Sequence, residues 1–219
     1  MFPRERLRRA LALYAVTDRT WLDGRTLVDC VGAALAGGAT FLQLREKDVP
    51  RDEIVRSARE LVPLARAAAV PFVIDDDVEA ARIVGADGVH VGQDDAACAE
   101  ARAALGPDAI VGVSVGTVQE ALAAQRAGAD YLGVGAVFGT RTKSDADVVG
   151  IAGLREICAV AEIPVVAIGG LNGATIPLLA ETGADGVAVV SVIFAAADIR
   201  AATEELLTLT KETLCLEMK

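Results

Sequence analysis

The chain reads as an α/β protein folded into a single (β/α)8 TIM barrel, and three observations predict this. Short apolar runs alternate with segments of helical periodicity and no long linker separates them, which is the pattern of parallel βαβ repeats. The triplet Gly-Ala-Asp recurs at 85–87, 128–130 and 183–185, with Gly37-Gly38-Ala39-Thr40 as a looser copy, and an apolar run follows each time. Finally, every chemically loaded run closes one of these strands, and barrel enzymes carry their chemistry at the carboxyl ends of the strands. The competing doubly wound sheet calls for a glycine fingerprint after the first strand; Val16-Thr17-Asp18-Arg19-Thr20 has none.

Taken in order, the strands fall at Leu13–Val16, Phe41–Leu44, Pro71–Ile74, Gly88–Gly92, Ala109–Val113, Tyr131–Val137, Pro164–Ile168 and Gly186–Val190. Helices fill the gaps. Asp52–Ala69 sets Ile54, Ala58, Leu61, Leu64 and Ala65 on one face and Arg56, Arg59, Glu60 and Arg66 elsewhere, the spacing of an amphipathic helix. Ala96–Leu105, Val118–Ala127, Gly153–Val160 and Ala201–Leu216 behave alike. One domain over 1–219 is expected, with 1–10 as an N-terminal extension.

Composition agrees. Hydrophobic residues make up 53% of the 219, mostly Ala, Val, Leu and Ile, as strands buried on both faces require. A net charge of −10 and the lack of any Lys/Arg block argue against nucleic acid as a partner. Cys30, Cys98, Cys158 and Cys215 show no CxxC spacing, so neither a zinc site nor a redox pair is expected. Cys30 and Cys158 read as buried reduced thiols. The basic N-terminal run contains Glu5, and the apolar stretch after it stops at Asp18, too soon for a signal peptide or a span. A soluble, cytoplasmic protein with small-molecule partners is expected, with no membrane partner; a homo-oligomer is compatible with the sequence.

Two acid pairs stand at strand ends, Asp75-Asp76 after the third and Asp94-Asp95 after the fourth. Arg45 and Lys47 close the second, and Thr140-Arg141-Thr142-Lys143 follows the sixth. Paired carboxylates suit Mg²⁺, and Lys and Arg suit the phosphate oxygens that share it. The arrangement predicts a metal-bound diphosphate. Each place also admits a blander role. Gln43, Arg45 and Lys47 share one strand face, but Glu46 and Asp48 are at hand for ordinary salt bridges. Asp75, Asp76 and Asp77 include helix-capping candidates. His90, the single histidine, reads as packed and hydrogen-bonded in a buried strand rather than as a general base. Ser114 has no histidine placed as its partner in sequence, so a hydrolase triad is not expected and an anion donor is. Gly169-Gly170 and Val190-Ser191 close the last two strands, where backbone N–H groups hold phosphate in many barrels. One metal–diphosphate site and one metal-free phosphate site predict two phosphorylated substrates joined with loss of diphosphate.

These runs carry a family resemblance. Tyr14-Ala15-Val16-Thr17-Asp18, Gln43-Leu44-Arg45-Glu46-Lys47, Asp76-Asp77-Val78, Gly88 through Asp95, Gly112-Val113-Ser114, Thr140 through Lys143 and Ala167-Ile168-Gly169-Gly170 resemble the thiamine-phosphate synthase family over nearly the whole chain. The resemblance implies condensation of hydroxymethylpyrimidine diphosphate with hydroxyethylthiazole phosphate, giving thiamine phosphate and diphosphate. It implies Mg²⁺ on Asp76 and Asp95. The pyrimidine diphosphate would lie on Gln43, Arg45, Lys47, Asp75, Ser114 and Lys143, with Arg45, Lys47, Ser114 and Lys143 serving catalysis. The thiazole phosphate would lie on Thr140, Arg141, Thr142, Gly170, Val190 and Ser191. Three positions depart from the family's usual pattern: Asp75 stands where Asn is typical, and Ala136 and Gly139 where Pro is common. A thiazole tautomerase-like barrel and a non-catalytic barrel binding thiamine precursors are the alternatives. The former needs neither the acid pairs nor Lys143.

Overall fold

A computed structural model describes residues 4–92, 95–139 and 148–216. Eight parallel strands close into a barrel in sequence order, the last pairing with the first. They are β1 (Leu13–Val16), β2 (Phe41–Leu44), β3 (Phe72–Asp75), β4 (Gly88–Val91), β5 (Ile110–Val115), β6 (Tyr131–Val134), β7 (Val165–Ile168) and β8 (Gly186–Val189). Around them run α2 (Leu27–Ala36), α3 (Arg51–Ala67), α4 (Val78–Val84), α5 (Asp95–Leu105), α6 (Val118–Ala127), α7 (Gly150–Val160), a short α8 (Ser191–Phe194) and α9 (Ile199–Thr213). The N-terminal extension is itself a helix, α1 (Arg4–Ala10).

Strand alternation divides the apolar residues into two cores. Leu13, Ala15, Leu42, Leu44, Val89, Val111 and Val113 face outward and pack under the helices. Tyr14, Val16, Phe41, Val73, Ile110, Tyr131, Val166 and Ala188 face inward and fill the barrel, joined by Leu7 from α1 and by Leu11. A helix laid across the barrel floor thus supplies side chains that the short strands lack.

The seventh connection departs from the expected pattern. Between β7 and β8 the described chain forms only a single 3-10 turn, Ile176–Leu179. Pro177 at its start has no amide hydrogen to give, and Ile176 and Leu179 bury themselves there without a longer helix. The strand ends also shift. β3 runs on through Asp75 and β5 through Val115, whereas β6 stops at Val134.

The Gly-Ala-Asp repeat has a physical role. Its glycine ends the preceding helix in left-handed conformation at Gly85 (φ 64°) and Gly128 (φ 96°), where a side chain would be strained. Its aspartate then staples two strands together at the barrel floor. Asp87 Oδ2 accepts from Phe72 N at 2.8 Å, Asp130 Oδ2 from Val111 N at 2.8 Å, and Asp185 Oδ2 from Val165 N at 2.9 Å. In return the aspartate amides donate to Phe72 O, Val111 O and Val165 O at 2.9, 2.7 and 2.7 Å. Thr40 does the same for β1, its Oγ1 accepting from Leu13 N at 2.8 Å. Asp130 also receives Arg102, which clamps the carbonyls of Gly106, Ala109 and Gly128.

Removing one staple strands a buried strand amide. Asp130→Ala is expected to lower stability by about 1–3 kcal/mol, read as a shift in the urea midpoint with unchanged slope. An unshifted midpoint rules the staple out as a stabilising element.

Candidate active site

The carboxyl ends of the strands surround a cavity of about 570 Å³ lined by Gln43, Arg45, Lys47, Asp75, Asp76, His90, Ser114, Gly170, Val190 and Ser191, among others. A volume of this order accommodates a small-molecule ligand. These residues come from β2, β3, β4, β5, β7 and β8, so closure of the barrel brings them together.

The positive groups do not pair with their sequence neighbours. Glu46 is taken by Arg19 at 2.8 Å. Lys47 instead reaches across to β3, with Nζ 3.3 Å from Asp75 Oδ2 and 3.2 Å from Asp76 Oδ2. Arg45 lies 3.4 Å from Asp18 and 3.8 Å from Asp75. Burial works against the charge on Lys47, yet Asp75 and the hydrogen bond to Asp76 outweigh it and hold its ammonium above the usual range. Asp75 moves the other way from a comfortable acid. Burial raises its pKa and Asp76 raises it further, and the two cations recover only part of this.

Asp76 and Asp77 divide their labour. Asp77 caps α4, accepting from Ala80 N at 2.8 Å, and binds Arg51. Asp76 adopts φ 59°, a left-handed conformation that aspartate tolerates better than most residues. Its amide donates to His90 O at 2.8 Å, and its side chain is 58% exposed at the mouth. That hydrogen bond ties the end of β3 to the end of β4, after which α5 opens at Asp95; the Asp95 side chain is outside the described residues. An exposed carboxylate at a strand end beside the start of α5 suits Mg²⁺, which is held by one or two carboxylates plus water and substrate oxygens. Among the described residues no group of three or more His, Cys, Asp or Glu gathers to hold a metal, so Asp76 is the one described carboxylate that fits such an ion.

Behind the mouth lies a polar chain that sequence patterns did not reveal. Gln43, 4% exposed, donates through Nε2 to Asp75 Oδ1 at 2.6 Å and accepts through Oε1 from Tyr14 at 2.6 Å. The hydroxyls of Tyr14 and Tyr131 meet at 2.9 Å. Tyr131 also meets His90 Nδ1 at 2.9 Å, and His90 Nε2 lies 2.9 Å from Ser114 Oγ. Burial comes first in holding both phenols above the ordinary tyrosine range, so both stay neutral. His90 is packed and hydrogen-bonded, as expected. Ser114, however, does have a histidine partner, contrary to the sequence-based expectation. β4 and β5 pair with His90 opposite Gly112, which leaves the inward-facing Ser114 one layer above the imidazole. Among the described residues the partner at Nδ1 is Tyr131 and not a carboxylate, which is not the arrangement of a hydrolase triad. The chain contains only two tyrosines, both on inward positions of apolar strands. A buried Tyr hydroxyl needs a partner, and that was the available signal.

Glycines make room for this chain. A Cβ on Gly112 would fall 2.1 Å from the Tyr131 ring, and one on Gly133 would fall 3.0 Å from His90. At the other side of the mouth Gly169 and Gly170 have φ 97° and 68°. A Cβ on Gly170 would meet Phe138 at 2.7 Å and Gly139 O at 2.8 Å. The pair thus lets the chain that leads into the 140–143 run lie against β7. Thr140, Arg141, Thr142 and Lys143 are outside the described residues, as are Gln93 and Asp94. Val190 and Ser191 sit where β8 passes into α8, and Phe194 N donates back to Val190 O at 3.1 Å.

The sequence pattern of thiamine monophosphate synthase matches residues 13–193. The chain belongs to this family. Among curated members it is 45% identical over 195 residues to the thiamine-phosphate synthase of Clostridium novyi, covering 89% of this chain and 96% of that one. It is 44% identical over 208 residues to the Pyrococcus furiosus enzyme, covering 95% and 99%. The solved thiamine phosphate pyrophosphorylase of Pyrococcus furiosus superposes with a TM-score of 0.87 at 43% identity, over 95% of this chain and 99% of that one. A 3-hexulose-6-phosphate synthase, at 21% identity and a TM-score of 0.65, over 90% and 99% of the two chains, shares the fold alone.

The raised pKa of Asp75 has a stability consequence of definite sign. A carboxyl whose folded pKa exceeds its unfolded value binds more protons when folded, so stability falls as pH rises between the two. In EDTA, Asp75→Asn is expected to gain stability relative to the parent on passing from acid to neutral pH, as followed by urea midpoints. A difference independent of pH contradicts the raised pKa.

Proposed function

We propose that this mouth holds a pyrimidine diphosphate against β2, β3 and β5 and a thiazole phosphate against β7 and β8, and that Asp76 and Asp95 would hold Mg²⁺. The chain is an enzyme, a thiamine-phosphate synthase-type transferase that condenses a pyrimidine and a thiazole moiety to thiamine phosphate. The observation that carries the site assignment is the gathering of Gln43, Arg45, Lys47, Asp75, Asp76 and Ser114 in the cavity that also contains Gly170, Val190 and Ser191. One charged set meets a diphosphate, and one backbone set beside it meets a second phosphate.

The division of labour follows from charge. Arg45 and Lys47 line the mouth from the end of β2, and the reading assigns Lys143 to the same task. Together they neutralise the negative charge that builds on a departing diphosphate, which is where electrostatic stabilisation is most effective. Gln43 and Ser114 orient the pyrimidine. Thr140, Arg141 and Thr142, with Gly170, Val190 and Ser191, seat the thiazole phosphate so that its ring nitrogen faces the pyrimidinylmethyl carbon. That nitrogen is already a nucleophile and the electron-rich aminopyrimidine stabilises the cation left by diphosphate, so no protein base is required. When bound, Mg²⁺ adds charge neutralisation at the diphosphate oxygens. Glu46, Asp77 and Arg51 pair among themselves or with Arg19 and stay outside this scheme. A thiazole tautomerase-like or non-catalytic barrel leaves the pairing of Lys47 with Asp75 and Asp76 at the mouth without a purpose. No helix among the described residues is long and apolar enough to cross a membrane; a cytoplasmic enzyme acting on small molecules, with residues 1–219 as one unit, agrees with this.

Two measurements test the assignment. Product formation from both substrates is expected to stop in EDTA and return with Mg²⁺, and Asp76→Ala and Asp95→Ala are each expected to lose activity while keeping the folded spectrum. Full turnover in metal-free buffer removes Mg²⁺ from the scheme. Lys143→Ala is expected to slow the chemical step on the order of 10²–10³-fold, with a smaller effect on the KM for the thiazole phosphate. A change confined to that KM assigns Lys143 to the thiazole phosphate instead.

A further inference from the structure

Six side chains form an unbroken line of hydrogen bonds across the barrel, and its direction decides what Ser114 offers to the mouth. The line runs Asp75, Gln43, Tyr14, Tyr131, His90, Ser114, with successive contacts of 2.6, 2.6, 2.9, 2.9 and 2.9 Å. Gln43, Tyr14, Tyr131 and His90 are all buried, and the contacts along the line fix which way Gln43, Tyr14 and Tyr131 turn.

Charge is anchored at one end. Asp75 faces Lys47 Nζ at 3.3 Å and Arg45 Nε at 3.8 Å, and a carboxylate can only accept. Gln43 must therefore turn Nε2 toward Asp75 and Oε1 toward Tyr14, because the flipped amide would set two oxygens 2.6 Å apart. The single hydroxyl proton of Tyr14 goes to Gln43. The contact between the phenols then uses the proton of Tyr131, and His90 Nδ1 must donate to the Tyr131 oxygen. In the neutral imidazole that this direction calls for, protonation at Nδ1 leaves Nε2 bare. Ser114 fills it with its only hydroxyl proton. Toward the cavity, Ser114 then presents lone pairs and no donor.

We propose that Asp75 sets the direction of this line and that His90, as a positioning residue, makes Ser114 a hydrogen-bond acceptor that reads the exocyclic amine of the aminopyrimidine instead of donating to a diphosphate oxygen. This differs from the anion-donor role that the strand-end position of Ser114 invites. An asparagine at position 75, the residue typical of the family, can donate or accept and imposes no direction, so the constraint is a property of this chain's acid. What Ser114 recognises rests on the pyrimidine diphosphate reading above; the direction of the line does not.

His90 is the single histidine of the chain, so nitrogen-15 labelling of histidine gives two ring signals that need no assignment by mutation. In ligand-free protein at neutral pH and in metal-free buffer, Nδ1 is expected to be protonated and Nε2 bare. Asp75→Asn is expected to move part of the population to the Nε2-protonated tautomer. A parent protein with its proton on Nε2, or on both nitrogens, overturns the proposed direction. The second measurement compares binding of pyrimidine diphosphate with that of an analogue whose exocyclic amine is replaced by hydrogen. The parent is expected to bind the analogue roughly three- to tenfold more weakly, the worth of one hydrogen bond, and Ser114→Ala is expected to bind the two alike. Discrimination that survives in Ser114→Ala overturns the recognition by Ser114. Failure of the parent to bind either compound overturns the pyrimidine diphosphate reading itself, and the histidine signals report the direction of the line separately.

Discussion

Tyr131 occupies the space that Gly112 leaves empty, and the interior of the barrel depends on that fit. The two residues are register partners on β6 and β5, and a methyl group at Gly112 would overlap the ring. Eight short strands enclose too little volume for large side chains at every inward position, so bulky and absent side chains must alternate between neighbours. With Tyr131 seated, its hydroxyl meets Tyr14 on one side and His90 on the other. The aromatic contacts among Tyr14, Phe41 and Tyr131, with centroids 4.5 to 6.0 Å apart, lock the layer below. The polar line that reaches Ser114 and Asp75 therefore stands on a packing decision made in the core.

Stability and chemistry occupy opposite ends of this barrel. At the floor, Thr40, Asp87, Asp130 and Asp185 staple alternate strands, and α1 packs Leu7 against the interior. At the mouth, acids crowd cations and one carboxyl is held in a burial that opposes its charge. Strain of this kind is sustainable only where the rest of the scaffold is well satisfied. The repeated staples are what hold the strand ends in place.

An acidic chain that handles anions must localise its positive charge. Here Lys47 and Arg45 are drawn to Asp75, Asp76 and Asp18, so the cations are already oriented into the cavity before any substrate arrives. Their partners restrain them without covering them, since Lys47 is about half exposed. On the proposed reading, an entering diphosphate would compete with these carboxylates for the same ammonium and guanidinium.

Much of this was readable from the chain alone. β1 at Leu13–Val16 and α6 at Val118–Ala127 match residue for residue, because a short continuous apolar run and a Thr117–Glu120 capping box are local signals. The barrel itself followed from repetition of local units, and the strand-end location of Gln43, Arg45, Lys47, Asp75 and Asp76 followed from the same periodicity. What local periodicity does not contain is the register between strands. The meeting of His90 with Ser114, the path from Asp75 through Gln43 to the two tyrosines, and the choice of Asp75 and Asp76 over Glu46 as partners of Lys47 all depend on which residues stand level across neighbouring strands. Residue order determined which side chains could face inward; closure of the barrel decided which of them touch.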